Sequence, residues 1–284
     1  MAAKSKPQVN VTAERDPTQV VEGLWWVGRG PWGMLPALTS VGDANIWLIR
    51  GEKFDVLVDV GGGPSLAPLE GRIRQAGGDP RRVREIWLTH SHYDHTCNAA
   101  RWLAKYPRAR CVMSATAAEF FRRRDLRLTG MAMFPGLKYQ IPRRLSAVRT
   151  GNVLECPPYR FRAVELPGHT PDCVGFRGLI AGVDAMFTGD AIIGDQGAVR
   201  GSIGWLDGLW LSDVRVYQRT LQKVAGDPPG LILPGHGVPH YGPAAKRSLR
   251  NCVRRIGKLL AIPNLPSMMP LFPPDAEVAD WKKK

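Results

Sequence analysis

The chain has 284 residues, of which 44% are hydrophobic, and a formal net charge of +14. That hydrophobic fraction is ordinary for a globular protein with a substantial core, and it excludes a chain that is disordered throughout. No apolar run approaches the roughly 18 residues of a transmembrane helix, and the polar N-terminus lacks the apolar stretch of a secretory signal. We therefore expect neither a membrane span nor a leader.

Turn signals and apolar runs divide the chain into three parts. Residues 1–19 form a polar N-terminal arm, residues 20–262 form one domain, and residues 263–284 form a tail rich in Pro and Lys. Within the domain, apolar runs bounded by turn residues indicate strands. The predicted strands are 44–50, 54–60, 83–89, 110–113, 160–166, 173–176, 185–188 and 231–233.

Helical stretches separate these strands. Ala- and Leu-rich or amphipathic segments predict helices at 98–105, 116–124, 212–225 and 244–260, with Thr116 as the N-cap of the second. Residues 125–152 show no clean period, and we interpret them as an insertion near a site. Because strands and helices alternate in two similar halves, the pattern favours two sheets with helices on their outer faces.

The net charge and the cysteines constrain function less. A net charge of +14 fits nucleic acid, a membrane surface, an anionic substrate or simply a solvated basic surface. The five cysteines are odd in number, scattered and without CxxC spacing. This arrangement predicts free thiols in a reducing compartment, and therefore a cytoplasmic protein.

The strongest motif follows the predicted strand at 83–89. Residues 90–95 read HSHYDH, an HxHxDH pattern that supplies His90, His92, Asp94 and His95. Imidazoles and a carboxylate are ligands that suit zinc and its neighbouring metals. Four such groups within six residues cannot all reach one tetrahedral ion from a single loop. They can divide between two adjacent ions.

Three further strand ends each carry one ligand-capable residue in a Gly-rich turn. These are His169 in PGHTPD, Asp190 in TGDA and His236 in PGHG. Glycine allows the backbone to approach closely, as a buried ion requires. Five of the six histidines fall in these motifs, which random placement would not produce, and we interpret the sixth, His240, as structural.

The order HxHxDH, PGHT, GDA and PGHG resembles the metallo-β-lactamase superfamily, and within it the glyoxalase II and lactonase branch, over roughly residues 20–242. The resemblance implies an α/β fold, a four-layer αβ/βα sandwich of two sheets, with the metals at one edge where the strand ends meet. It also implies two zinc ions as cofactors, although iron or manganese would fit the same ligands.

The resemblance also implies a role for each motif residue. The implied ligands are His90, His92 and His169 for the first metal, Asp94, His95 and His236 for the second, and Asp190 as a bridge between them. Asp59 in LVDVGG matches the Asp that follows the second strand in the family. It would orient the metal-binding loop through hydrogen bonds.

The implied activity is hydrolysis. A hydroxide activated by two zinc ions would cleave an ester, lactone or thioester, with Asp94 orienting the nucleophile and Asp190 bridging the ions. No GxSxG elbow is present, so no serine nucleophile is expected. Asp190 stands where metallo-β-lactamases proper usually have Cys or Ser, which favours the cytoplasmic ester, thioester and lactone hydrolases.

Apolar residues in predicted loops are candidates for the substrate pocket, because pockets for small molecules are mostly apolar. The candidates are Trp26, Trp32, Met34, Phe134, Trp205, Trp210 and Tyr241. If several of them line the site, the substrate is bulky and apolar. Packing beneath the loops is an equal alternative for each.

Other functions fit the same ligands. A β-lactamase, an amidase or a dehalogenase would use the same centre, and a ribonuclease Z-like nuclease would draw on the positive charge. The PGHT and PGHG turns and the lack of a large inserted nucleic-acid-binding domain argue against the nuclease. A binding protein without activity is disfavoured because all seven ligands are present. We expect a small-molecule substrate rather than nucleic acid or a membrane, and leave a homodimer open.

Overall fold

The computed structural model describes residues 7–32, 35–133, 136–194 and 201–261. In these ranges the chain forms a seven-stranded sheet, a six-stranded sheet and six α-helices. The first sheet contains β1 (Thr18–Val21), β2 (Leu24–Gly28), β3 (Ile46–Arg50), β4 (Asp55–Val58), β5 (Val83–Trp87), β6 (Arg110–Ser114) and β7 (Leu145–Val148). The second contains β8 (Val153–Cys156), β9 (Tyr159–Glu165), β10 (Val174–Ile180), β11 (Val183–Gly189), β12 (Leu231–Pro234) and β13 (His240–Tyr241). The helices are α1 (Ala67–Gln75), α2 (Tyr93–Thr96), α3 (Ala99–Lys105), α4 (Ala115–Arg122), α5 (Val214–Gly226) and α6 (Pro243–Leu260).

Strand direction decides where the chain places its loops. The first sheet follows chain order, with β1 to β4 antiparallel and β4 to β7 parallel. In the second sheet the order is β13-β12-β11-β10-β9-β8, and β11 and β12 are parallel neighbours. Parallel neighbours end at the same edge of a sheet, so the turns after β11 and β12 lie side by side.

The main core lies between the two sheets and is rich in aromatic rings. Trp26 stacks on Trp47 with ring centroids 5.4 Å apart, and Trp87 lies 5.3 Å from both Phe161 and Phe176. All five side chains are buried almost completely. Burial of an apolar side chain of this size stabilises the fold by about 1.5–3 kcal/mol, and a well-placed aromatic pair adds about 0.5–1.5 kcal/mol.

Helices cover the outer face of each sheet. Ile73 of α1, Trp102 of α3 and Phe121 of α4 share a buried cluster with the first sheet, while Leu221 of α5 and Leu249 of α6 share another with the second. Both faces of each sheet are therefore buried, which explains why β4 is apolar along nearly its whole length rather than alternating. The four-layer αβ/βα sandwich expected from the motifs is confirmed.

The side chains that cap α4 and α5 come directly before the first residue of each helix. The N-cap of α4 is Ser114, whose side chain accepts from the Ala117 amide at 3.1 Å, so the assignment of Thr116 was wrong. The N-cap of α5 is Asp213, which accepts from the Val216 amide at 2.8 Å. In both cases the side chain that reaches the free amides of the first turn belongs to a residue outside the predicted apolar period.

All eight predicted strands and all four predicted helices are present, but short elements without a strong pattern were missed. These are β1, β2, β7, β8, β13, α1 and α2. The first sheet begins inside the segment 1–19 that was predicted as an arm, because β1 begins at Thr18. The Asn10 amide also donates to the Val20 carbonyl at 2.8 Å. Within 125–152, β7 is an edge strand of the first sheet. The tail predicted for residues 263–284 lies outside the described residues. No helix of the described ranges is long and apolar enough to cross a membrane.

Candidate metal centre

Four loops that follow strands converge at one edge of the sandwich. The loop after β5 carries residues 90–95, and the turns after β9, β11 and β12 carry His169, Asp190 and His236. The Gly235 amide donates to the Gly189 carbonyl at 2.8 Å, which joins the last two turns. The Val174 amide donates to the Thr89 carbonyl at 2.8 Å and connects the two sheets.

This convergence brings together all seven residues that the motifs indicated. They form two groups, His90, His92, His169 and Asp190 in one, and Asp94, His95 and His236 in the other, and within each group the ligand-capable atoms lie within 4.8 Å of one another. Residues from positions 90 to 236 of the chain thus share one small volume. The fold therefore adds His169, Asp190 and His236 to the four residues that the HxHxDH motif supplies.

Asp190 lies between the two groups. Its carboxylate oxygens are 3.7 Å from His169 Nε2, 3.4 Å from His95 Nε2 and 3.5 Å from His236 Nε2. His236 Nε2 is also 3.1 Å from Asp94 Oδ2. A carboxylate has two oxygens that can face different partners, so this position is the one from which a single residue can serve both groups.

Several polar atoms of the cluster are suited to bind metal ions, and they are not satisfied by hydrogen bonds within the cluster. Nε2 of His90, of His92 and of His95 is buried and has no hydrogen-bond partner among the described residues, and the same is true of Asp190 Oδ1. Buried polar atoms are nearly always paired, so four orphaned atoms in one cluster need an explanation. Imidazole nitrogens and carboxylate oxygens are ligands of zinc, iron and manganese.

Burial keeps the first group of histidines neutral. It lowers the pKa of His92 to about 3, with a further contribution from His169, and it lowers the pKa of His169. Burial, with His95 and His92 nearby, also holds the pKa of His90 well below its usual value. A neutral imidazole has a free lone pair, which is the form that binds a metal.

The second group has a different charge balance. Burial opposes the charged form of His95, but the carboxylates of Asp59, Asp94 and Asp190 outweigh burial and raise its pKa. Burial would raise the pKa of Asp94, yet His95 and His236 lower it to about 2. Asp94 is therefore ionised at neutral pH and is available as a ligand or a hydrogen-bond acceptor.

Asp59, which the family resemblance implied as the residue that orients the loop, makes three hydrogen bonds to it. Its carboxylate accepts from the Thr89 amide and the Thr89 hydroxyl, each at 2.8 Å, and from His95 Nδ1 at 2.8 Å. Because a carboxylate only accepts, Nδ1 of His95 carries the proton and Nε2 is left to face Asp190. Asp59 has a φ of +58°, a left-handed conformation that is uncommon for residues other than Gly and that Asn and Asp tolerate best.

His169 is oriented in a similar way by a backbone group. Its Nδ1 donates to the Trp205 carbonyl at 2.5 Å, so Nε2 carries the lone pair and lies 3.2 Å from Nδ1 of His92.

The space around Gly235 explains why a glycine precedes His236. A Cβ added there would lie 2.2 Å from Asp190 Oδ1, so a larger residue would collide with the carboxylate between the groups.

Sequence reasoning missed residues that hold these loops from outside the motifs. Asn45 Nδ2 donates to the carbonyls of Pro234 and Gly237 at 2.9 Å each, which fixes the turn that carries His236. Asp172 accepts from the Ser91 hydroxyl at 2.6 Å and so braces the residue between two of the histidines. Asp172 stands in the PGHTPD motif and could have been noticed, whereas nothing near Asn45 marked it.

Two of the predicted pocket residues lie beside the metal centre. Trp32 stacks on the ring of His236 with centroids 4.7 Å apart, and its Nε1 donates to the Gly194 carbonyl at 3.2 Å. Trp210 meets the ring of His92 edge-on, also at 4.7 Å. A Cβ on Gly130 would lie 3.7 Å from both His92 and Trp210, so part of the 125–152 segment also borders the centre.

Other predicted pocket residues do not line the centre. Trp26 is fully buried between the sheets and donates to Asn45 Oδ1, so its assignment to the pocket was wrong. Tyr241 was also wrong, because β13 runs antiparallel to β12 and places Tyr241 opposite Leu231, at the far end from His236. The side chain of Trp205 is 71% exposed, and its carbonyl is the group that serves His169. Met34 and Phe134 lie outside the described residues.

Comparison with known proteins agrees with this geometry. A model of the metallo-beta-lactamase superfamily matches residues 39–236, which include every residue of both groups. A hydroxyacylglutathione hydrolase of Tolumonas auensis is 25% identical over 198 residues, covering 68% of this chain and 61% of that protein. The atrochrysone carboxyl ACP thioesterase of Aspergillus fumigatus is 27% identical over 157 residues, covering 55% of this chain and 39% of that protein. The chain thus spans less than two thirds of the length of these relatives.

A solved structure supports the architecture. A B3 metallo-beta-lactamase with an active-site glutamic acid superposes with a TM-score of 0.65 at 20% identity, covering 86% of this chain and 88% of that one. At this identity the likeness shows the fold alone. The family model, however, covers more than half of the chain and every strand end that carries a motif histidine. The chain therefore belongs to the metallo-beta-lactamase superfamily.

Proposed function

We propose that this chain is a dinuclear metal-dependent hydrolase. His90, His92 and His169 would hold one ion, Asp94, His95 and His236 the other, and Asp190 would bridge them. The observation that carries the proposal is that, within this cluster, His90, His92, His95 and Asp190 each have a buried atom without a hydrogen-bond partner among the described residues. Two zinc ions are the proposed cofactors, and iron or manganese would suit the same ligands.

Two bound cations of this kind supply Lewis acidity, which lowers the pKa of water toward neutrality and polarises a carbonyl group. The chain contributes orientation and exclusion of bulk water. Asp94 is the better placed carboxylate for orienting an attacking water, because its side chain is 18% exposed while that of Asp190 is 9% exposed. Its low pKa keeps it ionised, so it can accept a hydrogen bond from the nucleophile.

The proposed substrates are esters, lactones or thioesters of small apolar acyl groups. Trp32 and Trp210 flank the centre on the His236 and His92 sides, and they offer flat apolar surfaces rather than charges. The relative from Aspergillus fumigatus carries the name of a thioesterase, which supports keeping thioesters in the class. A β-lactam is a test arm, because a solved structure that shares the fold is a metallo-beta-lactamase.

A cytoplasmic location belongs to the same proposal. The five cysteines are free, and four of them are buried. Burial raises the pKa of Cys111 and of Cys252 to about 12, so these thiols stay protonated and unreactive. Five unpaired thiols support a protein that works where thiols remain reduced.

The test is a substrate panel with zinc-loaded protein, with and without a chelator. It contains a lactone, an aryl ester, an acyl thioester, a β-lactam and a short RNA. We expect chelator-sensitive turnover of a lactone, ester or thioester, and Asp190→Asn should lower kcat more than about 100-fold, since direct ligands exceed the 10–100-fold effect of outer partners. Asp184→Asn is the matched control and should retain activity, because Asp184 lies in β11, before the turn that carries Asp190, and is paired with Arg177. Turnover that persists in Asp190→Asn at the wild-type rate would contradict the proposal.

A further inference from the structure

Tyr217 is a fully buried residue of α5 whose hydroxyl contacts the backbone of two loops at the metal centre. The hydroxyl donates its single hydrogen between two carbonyl oxygens, that of Ala191 at 2.7 Å and that of Asp190 at 2.9 Å. It also accepts from the Gly204 amide at 3.0 Å. The Gly204 amide also donates directly to the Asp190 carbonyl at 3.1 Å, so the hydroxyl reinforces a backbone link between the turn that carries Asp190 and the segment that begins at Gly204.

The segment from residue 204 to 212 reaches His169 at two points. The Trp205 carbonyl accepts from His169 Nδ1 and fixes the tautomer of the ring, as described above. Ser212 donates from its hydroxyl to the His169 carbonyl at 2.5 Å. The 204–212 segment therefore orients His169 through both its ring and its backbone, while Tyr217 ties the start of the segment to Asp190.

Helix α5 and its N-cap also contact the turn that precedes His169. A Cβ on Gly168, which has a φ of +143°, would lie 2.3 Å from the Cβ of Tyr217, so the turn before His169 packs directly against this residue. The Asp213 amide donates to the Gly168 carbonyl at 2.9 Å, and Thr220 donates to the Pro167 carbonyl at 2.7 Å. Tyr217 therefore sits between the turns of His169 and Asp190.

Packing alone does not account for the hydroxyl. The ring of Tyr217 belongs to the apolar cluster of α5 and α6, with Leu166, Leu221 and Leu249, where a phenylalanine would fill the same space. A buried hydroxyl costs free energy unless it is hydrogen-bonded, and here the hydroxyl makes its hydrogen bonds to backbone groups of the site loops. The hydroxyl therefore has a role that apolar packing does not require.

We propose that Tyr217 is a positioning residue of the metal centre, whose hydroxyl ties the Asp190 turn to the 204–212 segment and so sets the distance between the Asp190 carboxylate and the ring of His169. The inference rests on the proposed metal centre. Tyr217 touches neither metal nor substrate, and it acts through the two side chains that it places. Loss of the hydroxyl should loosen both of them relative to each other.

The test compares Tyr217→Phe with Tyr106→Phe. Tyr106 also loses one hydroxyl hydrogen bond, to Glu70 at 2.8 Å, but on the helical layer outside the first sheet. Three quantities are measured: zinc affinity by competition with a chelator, the visible spectrum of the cobalt-loaded protein, and the thermal midpoint of the metal-free protein. We expect Tyr217→Phe to bind zinc about 10–100-fold more weakly and to shift the cobalt bands, with Tyr106→Phe unchanged in both.

The outcomes separate this inference from the proposed function. If wild-type protein binds no metal, the proposed function fails and this inference fails with it. If wild-type protein binds metal and Tyr217→Phe matches it in zinc affinity and cobalt spectrum, the inference alone is overturned. Should Tyr217→Phe fail to fold without metal, Ser212→Ala cuts the other end of the same connection. A wild-type zinc affinity and cobalt spectrum in that variant would overturn the inference as well.

Discussion

The loop after β5 and the three turns after β9, β11 and β12 build the same metal centre in different ways. The loop supplies four ligand-capable residues within six positions, and Asp59 holds it through Thr89 and His95. Each turn supplies one residue, and long-range contacts from Asn45, Tyr217 and the Trp205 carbonyl hold the turns. The compact motif is held by the two carboxylates of Asp59 and Asp172, whereas each dispersed turn is held by its own long-range contact.

This comparison predicts that the dispersed side is the more sensitive to small changes of shape. Gly235→Ala adds a methyl group 2.2 Å from Asp190 Oδ1 and 2.7 Å from His95 Cε1, so the turn or the carboxylate must move. We expect zinc affinity to fall more than about 100-fold, beyond the 10–100-fold effect of outer partners, together with an overpacking cost of about 1–3 kcal/mol. Chelator competition and thermal unfolding measure the two effects.

Gly71→Ala is the matched control for that substitution. Gly71 lies inside α1 and has nothing within 4 Å of an added Cβ. Alanine is favoured over glycine within a helix by about 0.5–1 kcal/mol, so this variant should be slightly more stable and bind zinc normally. Equal zinc affinities in Gly235→Ala and Gly71→Ala would show that the turn before His236 has room that its geometry does not indicate.

Zinc affinity should fall less when the contacts of the compact HxHxDH loop are changed. The residue to change is Asp59, which holds this loop through Thr89 and His95. Asp59→Asn retains a side chain that tolerates a φ of +58°, but it removes the charge that faces His95 Nδ1. We expect zinc affinity to fall about 10–100-fold, because the imidazole loses the partner that fixes its tautomer. The measurement is the same chelator competition, and an unchanged affinity would mean that the HxHxDH loop holds its own geometry without Asp59.

The same contrast explains what the sequence could predict. Motif spacing indicated the seven clustered residues, the family resemblance added Asp59, and alternating strands and helices indicated two sheets with helices outside them, since these signals are local in the chain. Asn45, Tyr217 and the Trp205 carbonyl act on residues 13 to 192 positions away, so no local pattern marks them. The pocket residues were predicted least well, because only a tryptophan that is accessible beside the centre can contact a substrate. The sequence alone does not show which tryptophans are accessible. Trp26 and Trp32 differ by six positions, yet one lies in the core and the other on His236.

The most direct measurement is the metal content of the purified chain. The metal-free protein would be dialysed against zinc, and bound zinc would be counted by elemental analysis for the wild type and for His92→Ala. We expect two zinc ions for each wild-type chain and fewer for the variant, because His92 and His169 face each other at 3.2 Å in the first group. A wild-type chain that retains one ion or none, or a variant that retains as many as the wild type, would contradict a two-metal centre on these residues.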